Sequence, residues 1–75
     1  MTVEDEILNR LQQMNVVPLL GGLVPENATA ILLGYTPGYF RQMASVGQSP
    51  LSCVRRGNRR FYKVADISRF VSETA

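Results

Sequence analysis

The segment Leu33-Gly34-Tyr35-Thr36-Pro37 leaves three residues in which one helix must stop and the next must start. Gly34 suits the left-handed position just past a helix end. Thr36 suits an N-cap, and Pro37 suits the first helical position, where its missing N–H is not needed. Upstream, Pro25-Glu26 suits the first turn of a helix that continues from Asn27 to Leu33, with Ala28, Ile31 and Leu32 turned inward. Downstream, the spacing predicts a helix from Pro37 to about Val46 that stops near Gly47. Phe40, Met43 and Ala44 share one face of it, while Gly38, Arg41, Gln42 and Ser45 point elsewhere. Two helices joined this tightly are the helix-turn-helix arrangement in sequence form.

The next constraint is Arg55-Arg56-Gly57-Asn58-Arg59-Arg60-Phe61-Tyr62-Lys63. Gly-Asn between two short runs marks a hairpin tip, because both residues tolerate positive φ. The strands are expected at Leu51 to Arg55 and Arg60 to Val64, after a turn at Gln48-Ser49-Pro50. Such a hairpin sets Arg55 and Arg56 beside Arg59 and Arg60, and like charges opposite one another destabilise a sheet. A polyanion would neutralise them, and DNA or RNA is the obvious candidate. Phe61 and Tyr62 alternate across the strand; Phe61 is expected in the core and Tyr62 partly exposed.

At the N-terminus, Thr2 to Met14 reads as a helix, with Thr2 as N-cap and Glu4, Asp5 and Glu6 at the positive end of its dipole. Val3, Ile7, Leu8, Leu11 and Met14 form its apolar face, which serves either as a brace for this domain's core or as a seam with a second copy. Val16 to Val24, broken by Pro18 and Gly21-Gly22, reads as a connector or a short extended piece. A last helix is expected from Asp66 to Glu73, with Ile67, Phe70 and Val71 on one side.

Composition narrows the functions. Seventy-five residues allow one domain with a small core, so dimerisation or ligand binding would matter to stability. The net charge of +2 hides an asymmetry: Arg41, Arg55, Arg56, Arg59, Arg60 and Lys63 share the stretch from 41 to 63 with no acid. Residues 1–40 hold Glu4, Asp5, Glu6 and Glu26 against Arg10 alone. With no histidine and a single cysteine, an intramolecular disulfide is excluded and a structural zinc site essentially so. Cys53 is expected to be a small, half-buried strand residue. No nucleophile–base pair or phosphate loop is present, so catalytic residues and cofactors are expected to be absent. The acidic start and the lack of a long apolar run point to a cytoplasmic protein with no membrane partner.

The order helix, tight turn, helix, basic hairpin, helix over residues 25–74 resembles the excisionase-type branch of the MerR-like winged helix-turn-helix domains. The residues that carry the likeness are Ala30-Ile31-Leu32-Leu33-Gly34-Tyr35-Thr36, Tyr39-Phe40-Arg41-Gln42-Met43, Gly47 and Pro50. They continue with Val54 to Lys63, Asp66-Ile67 and Phe70-Val71. The likeness covers about two thirds of the chain. It departs from the family pattern at Pro37-Gly38, where a polar pair is usual, at Ser49 before Pro50, and in the residues before Pro25. The expected architecture is therefore mainly α with a small β-hairpin. It is a winged helix-turn-helix over 25–75 preceded by an extra N-terminal helix and connector over 1–24, compact as a whole.

The resemblance implies a non-enzymatic protein that binds double-stranded DNA with sequence preference. The recognition helix would contribute Thr36, Gly38, Tyr39, Arg41, Gln42 and Ser45. Arg41 suits guanine, Gln42 adenine, and Tyr39 a phosphate, a thymine methyl or mere helix packing. The wing would contribute Arg55, Arg56, Asn58, Arg59, Arg60 and Lys63. With roughly five phosphate contacts, log K should fall by about 4.5 per tenfold rise in salt. Excisionases are recombination directionality factors that bind and bend DNA to assist an integrase. An integrase partner, and self-association through the first helix or cooperatively on DNA, follow from that likeness. The alternatives are a small MerR-like transcriptional regulator and a protein-interaction module that grips an acidic partner with its basic hairpin. A coiled-coil or effector-binding segment after Ala75 would favour the regulator; none is expected there, and the excisionase reading is preferred.

Overall fold

The computed structural model describes residues 2–74; Met1 and Ala75, the outer ends of the two expected segments, lie outside them. The order is α1 (Val3–Gln13), β1 (Leu23–Pro25), α2 (Glu26–Leu33), α3 (Pro37–Ser45), β2 (Val54–Arg56), β3 (Arg59–Lys63) and α4 (Val64–Thr74). Among the described residues this makes four helices and one three-stranded antiparallel sheet, ordered β1-β3-β2. None of the helices is long and apolar enough to cross a membrane.

Local chemistry sets the helix ends. Thr2 and Asp5 close a reciprocal capping box, with Thr2 Oγ1 accepting from the Asp5 N–H at 3.1 Å and Asp5 Oδ2 accepting from the Thr2 N–H at 3.2 Å. Thr36 caps α3 by accepting from the Tyr39 N–H at 3.3 Å, and Pro37 opens the helix. Gly34 ends α2 at φ 86°, and the Tyr35 N–H closes back onto the Ala30 carbonyl at 2.9 Å, a Schellman closure. Asn15, at φ 59°, performs the same turn after α1, where the Val16 N–H reaches the Leu11 carbonyl at 2.9 Å.

The sheet differs from the expected hairpin. The Leu23–Pro25 segment is a third strand, paired with β3 as Leu23↔Lys63, Val24↔Tyr62 and Pro25↔Phe61. Three residues are too few to show an alternation, and their partner lies far along the chain. Pro25 stands at the N-cap position of α2, without a side-chain capping bond, as the last residue of this edge strand rather than inside the helix, a place that needs no N–H for the ladder. The division between residues 24 and 25 thus falls within β1.

The hairpin strands are also displaced from the expected ranges. Leu51 to Cys53 stays outside β2, because Ser49 Oγ holds Leu51 at both its N–H (3.3 Å) and its carbonyl (2.9 Å). Cys53 is consequently exposed rather than half-buried in a strand. Val64 opens α4 instead of closing β3, with its N–H bonded to the Gly22 carbonyl at 2.8 Å.

The core joins every helix to the sheet through Ile7 and Leu11 of α1, Val24, Ala28, Ala30, Phe40, Tyr62, Val64 and Ile67. The first helix therefore buries its stripe within this chain, and Leu8 is left on its exposed side. On α2 the expected inward Ile31 is exposed, while Ala28, Thr29 and Ala30 are buried in succession. Their small side chains let strands and helices approach α2 from several sides. The Thr29 hydroxyl is satisfied by donating to the Pro25 carbonyl at 3.0 Å. Aromatic rings link the helix pair to the sheet: Tyr35 stacks on Phe40 at 5.6 Å, and Phe40 meets Tyr62 edge-on at 5.2 Å. Tyr62 is fully buried, contrary to the expectation of partial exposure, because β1 and the helices cover its face of the sheet.

Candidate nucleic-acid interface

Phe40 fixes the phase of α3. Because it is fully buried, Gly38, Tyr39, Arg41, Gln42 and Ser45 are all exposed, as their spacing required. Gly38 has open space where a Cβ would stand. Two of the expected contact groups are occupied within the helix itself. The Thr36 hydroxyl serves as the cap, and the Ser45 hydroxyl donates to the Gln42 carbonyl at 3.0 Å. Tyr39 leans toward Tyr35, with ring centroids 6.0 Å apart, yet remains more than half exposed.

The hairpin pairs Arg55 with Arg60 and Arg56 with Arg59 around Gly57-Asn58. Only Gly57 of the two takes a positive φ, 64°, as a two-residue tip with glycine first requires. Directly paired residues share a face of a sheet, so the arginines divide. Arg55 and Arg60 lie on the side of Val24 and Tyr62, which the helices cover, whereas Arg56 and Arg59 lie on the side of Phe61 and Lys63.

Arg41 of α3 meets the hairpin tip at a cleft of about 410 Å3, lined also by Asn58, Arg59 and Arg60 and by Glu26 and Asn27 at the start of α2. The cleft thus unites one expected recognition-helix residue with three expected wing residues. Thr36, Gly38, Tyr39, Gln42 and Ser45, on or beside α3, and Arg55, Arg56 and Lys63, on the hairpin, do not line the cleft. Lys63 stands at the far end of β3, opposite Leu23.

The start of α2 is expected at the site only through its backbone N–H groups, as a further phosphate contact; the side chains of Glu26 and Asn27 are additions to it. Glu26 binds Arg60, with Arg60 Nη1 at 3.3 Å from Oε2 and 3.4 Å from Oε1, and it also accepts from the Tyr62 hydroxyl at 3.2 Å. Burial pushes the Tyr62 hydroxyl above its ordinary value of 10.0; the Glu26 carboxylate adds to this and the Ser49 side chain opposes it. The signal for this cluster was the β1–β3 register, which sets Pro25 beside Phe61 and so brings Glu26 to Arg60.

The site can therefore present a row of exposed guanidinium groups, with one of their number neutralised from within. Among the described residues, Arg41, Arg55, Arg56, Arg59 and Lys63 have no acid within ion-pair distance. In comparisons with known proteins, the chain matches no family model, no curated protein and no solved structure.

Proposed function

We propose that the chain is a winged helix-turn-helix protein that binds double-stranded DNA with sequence preference and performs no chemistry of its own. The observation that carries this reading is the shared cleft. Arg41 on α3 and Asn58 and Arg59 at the hairpin tip come from separate elements and face one space. In this reading α3 enters the major groove, where Arg41 is suited to the O6 and N7 of guanine and Gln42 to adenine. Tyr39 adds an exposed ring and hydroxyl beside them. The β2–β3 hairpin lies along the backbone or an adjacent groove, where its arginines sense shape and charge. The division of its cations between two faces suits a wing with phosphates to either side of its tip.

Within DNA binding, the resemblance over residues 25–74 favours an excisionase that bends DNA for an integrase over a small MerR-like regulator. The cytoplasm, where duplex DNA would be met, is the compartment that goes with either role.

The test is a salt series of fluorescence-anisotropy titrations on random duplex DNA and on a fragment from upstream of the gene or the nearest attachment site. Both duplexes should bind with a steep salt dependence, and the fragment more tightly. Absence of binding to either at low salt overturns the reading and leaves the hairpin as a surface for an acidic protein.

A further inference from the structure

Arg60 differs from the other cations of the hairpin. Its side chain is 23% exposed, and that of its partner Glu26 is 16% exposed. One nitrogen of its guanidinium faces both oxygens of Glu26, at 3.4 and 3.3 Å. The Tyr62 hydroxyl donates to the same carboxylate at 3.2 Å, and the ring beneath that hydroxyl is fully buried against Phe40. Glu26 is itself the first residue of α2, where the helix dipole favours negative charge. Four influences thus hold one carboxylate in place: a cation, a hydroxyl, a helix end and a packed ring.

We propose that Glu26 is a positioning residue for DNA binding, and that Arg60 is not a DNA contact. Resting on the DNA reading above, this assigns the Glu26–Arg60–Tyr62 cluster the task of fastening β3 to the start of α2. The hairpin tip then stands at a fixed distance from Arg41 on α3. A phosphate approaching Arg60 meets the Glu26 carboxylate on the same guanidinium and is repelled by it. The charge of Arg60 is already balanced, so its burial at an interface releases no counterion. Four wing cations then remain, Arg55, Arg56, Arg59 and Lys63, and the expected salt dependence of log K drops from about 4.5 to about 3.6 per decade.

The experiment uses the full chain and random duplex DNA in a salt series, with Arg59→Ala, Arg60→Ala, Glu26→Gln and the Glu26→Gln/Arg60→Ala double variant. Thermal melts first establish that each is folded at the assay temperature. Arg59→Ala, which removes an exposed cation, should flatten the slope by about 0.9. Arg60→Ala should weaken binding several-fold and leaves the Glu26 carboxylate unpaired beside the duplex, so any flattening of its slope should vanish when Glu26→Gln is added. Glu26→Gln keeps the shape of the side chain but frees the charge of Arg60, so it should steepen the slope by about 0.9. The double variant should bring the slope back. A slope that the double variant flattens, relative to the unmodified chain, as much as Arg59→Ala does overturns the proposal, as does a slope that Glu26→Gln leaves unchanged. If the unmodified chain binds no duplex at any salt concentration, the DNA reading itself fails and the positioning role goes with it.

Discussion

The two faces of the sheet bury an aromatic residue each, by different means. On the face covered by helices, Tyr62 is enclosed with Val24, Phe40 and Ile67, and the neighbouring Arg60 is paired with Glu26. On the other face Phe61 is nearly as buried, yet its cross-strand partners are only Pro25 and Val54, and the same side carries Arg56, Arg59 and Lys63. The partly buried guanidinium on the covered face is matched within the protein, because burying an unpaired one is costly, whereas Arg55 on the same side is exposed and has no such partner among the described residues. The cations on the open face needed no such match and have no acid within ion-pair distance among the described residues. Adjacent arginines in the chain, Arg59 and Arg60, thus belong to different environments. A count of positive charge along the hairpin misses that distinction.

Truncating the aromatics is the harshest test of this contrast. Tyr62→Ala should cost about 4–5 kcal/mol, the upper part of the range for removing a buried aromatic ring, since three elements enclose the resulting cavity. In a chain of this size that loss removes most of the net stability. Phe61→Ala should cost about 3 kcal/mol, because Pro25 and Val54 lie at an open surface and are able to settle into the gap. Urea denaturation of both variants at neutral pH measures the difference. Equal losses would mean that the outer face is a second enclosed core rather than a covered patch.

A milder change addresses the hydroxyl alone. Tyr62→Phe removes one hydrogen bond to a carboxylate and should cost about 1.5 kcal/mol at neutral pH. The pH dependence has a definite sign. The Tyr62 pKa is raised in the folded protein, so the folded state binds this proton more tightly than the unfolded chain does. The associated stability is complete below the ordinary value of 10.0 and is lost as pH rises through the higher, folded value. The gap between the unmodified chain and Tyr62→Phe should therefore hold steady up to about pH 10 and close above it. Parallel curves through the alkaline range would rule out Tyr62 as the responsible group.

The parts of this fold that were legible in the sequence are those whose cause is local. Thr36, Pro37 and Gly34 define a helix end and a helix start from their own φ preferences and hydrogen bonds, whatever surrounds them. Gly57-Asn58 does the same for the hairpin, and Phe40 alone sets which residues of α3 face outward. What escaped depends on partners distant in the chain. β1 is three residues long and exists only because Val24 pairs with Tyr62. That pairing helps to cover Tyr62, so alternation along β3, which allows one buried aromatic per two residues, failed where Tyr62 lies under the helices and Phe61 is shielded between Pro25 and Val54. On α2, helical periodicity placed Ile31 inward, whereas the small residues Ala28, Thr29 and Ala30 permit close approach on successive sides and turn Ile31 out. Of the candidate site, the exposed side chains of α3 and the tip were foreseeable from local pattern. The capture of Arg60 by Glu26 was not, because it requires the register of a strand pair that the sequence left open.

The smallest expected effect on the fold is the most informative about the surface. Arg59→Ala removes an exposed side chain that forms no ion pair, so its stability should change by less than about 0.5 kcal/mol. Arg60→Ala removes a partly buried cation and leaves Glu26 with only the Tyr62 hydroxyl as a side-chain partner, so its loss should be plainly larger. Thermal melts in parallel, at low and at moderate salt, measure both. The position of Arg59 opposite Arg56 adds a further expectation, because like charges face each other there. Relieving that repulsion should offset part of any lost packing at low salt and do less as salt screens the pair. A clear low-salt destabilisation by Arg59→Ala would show that the tip contributes to the fold. In that case the division between a structural arginine and a presented one would have to be drawn elsewhere on the hairpin.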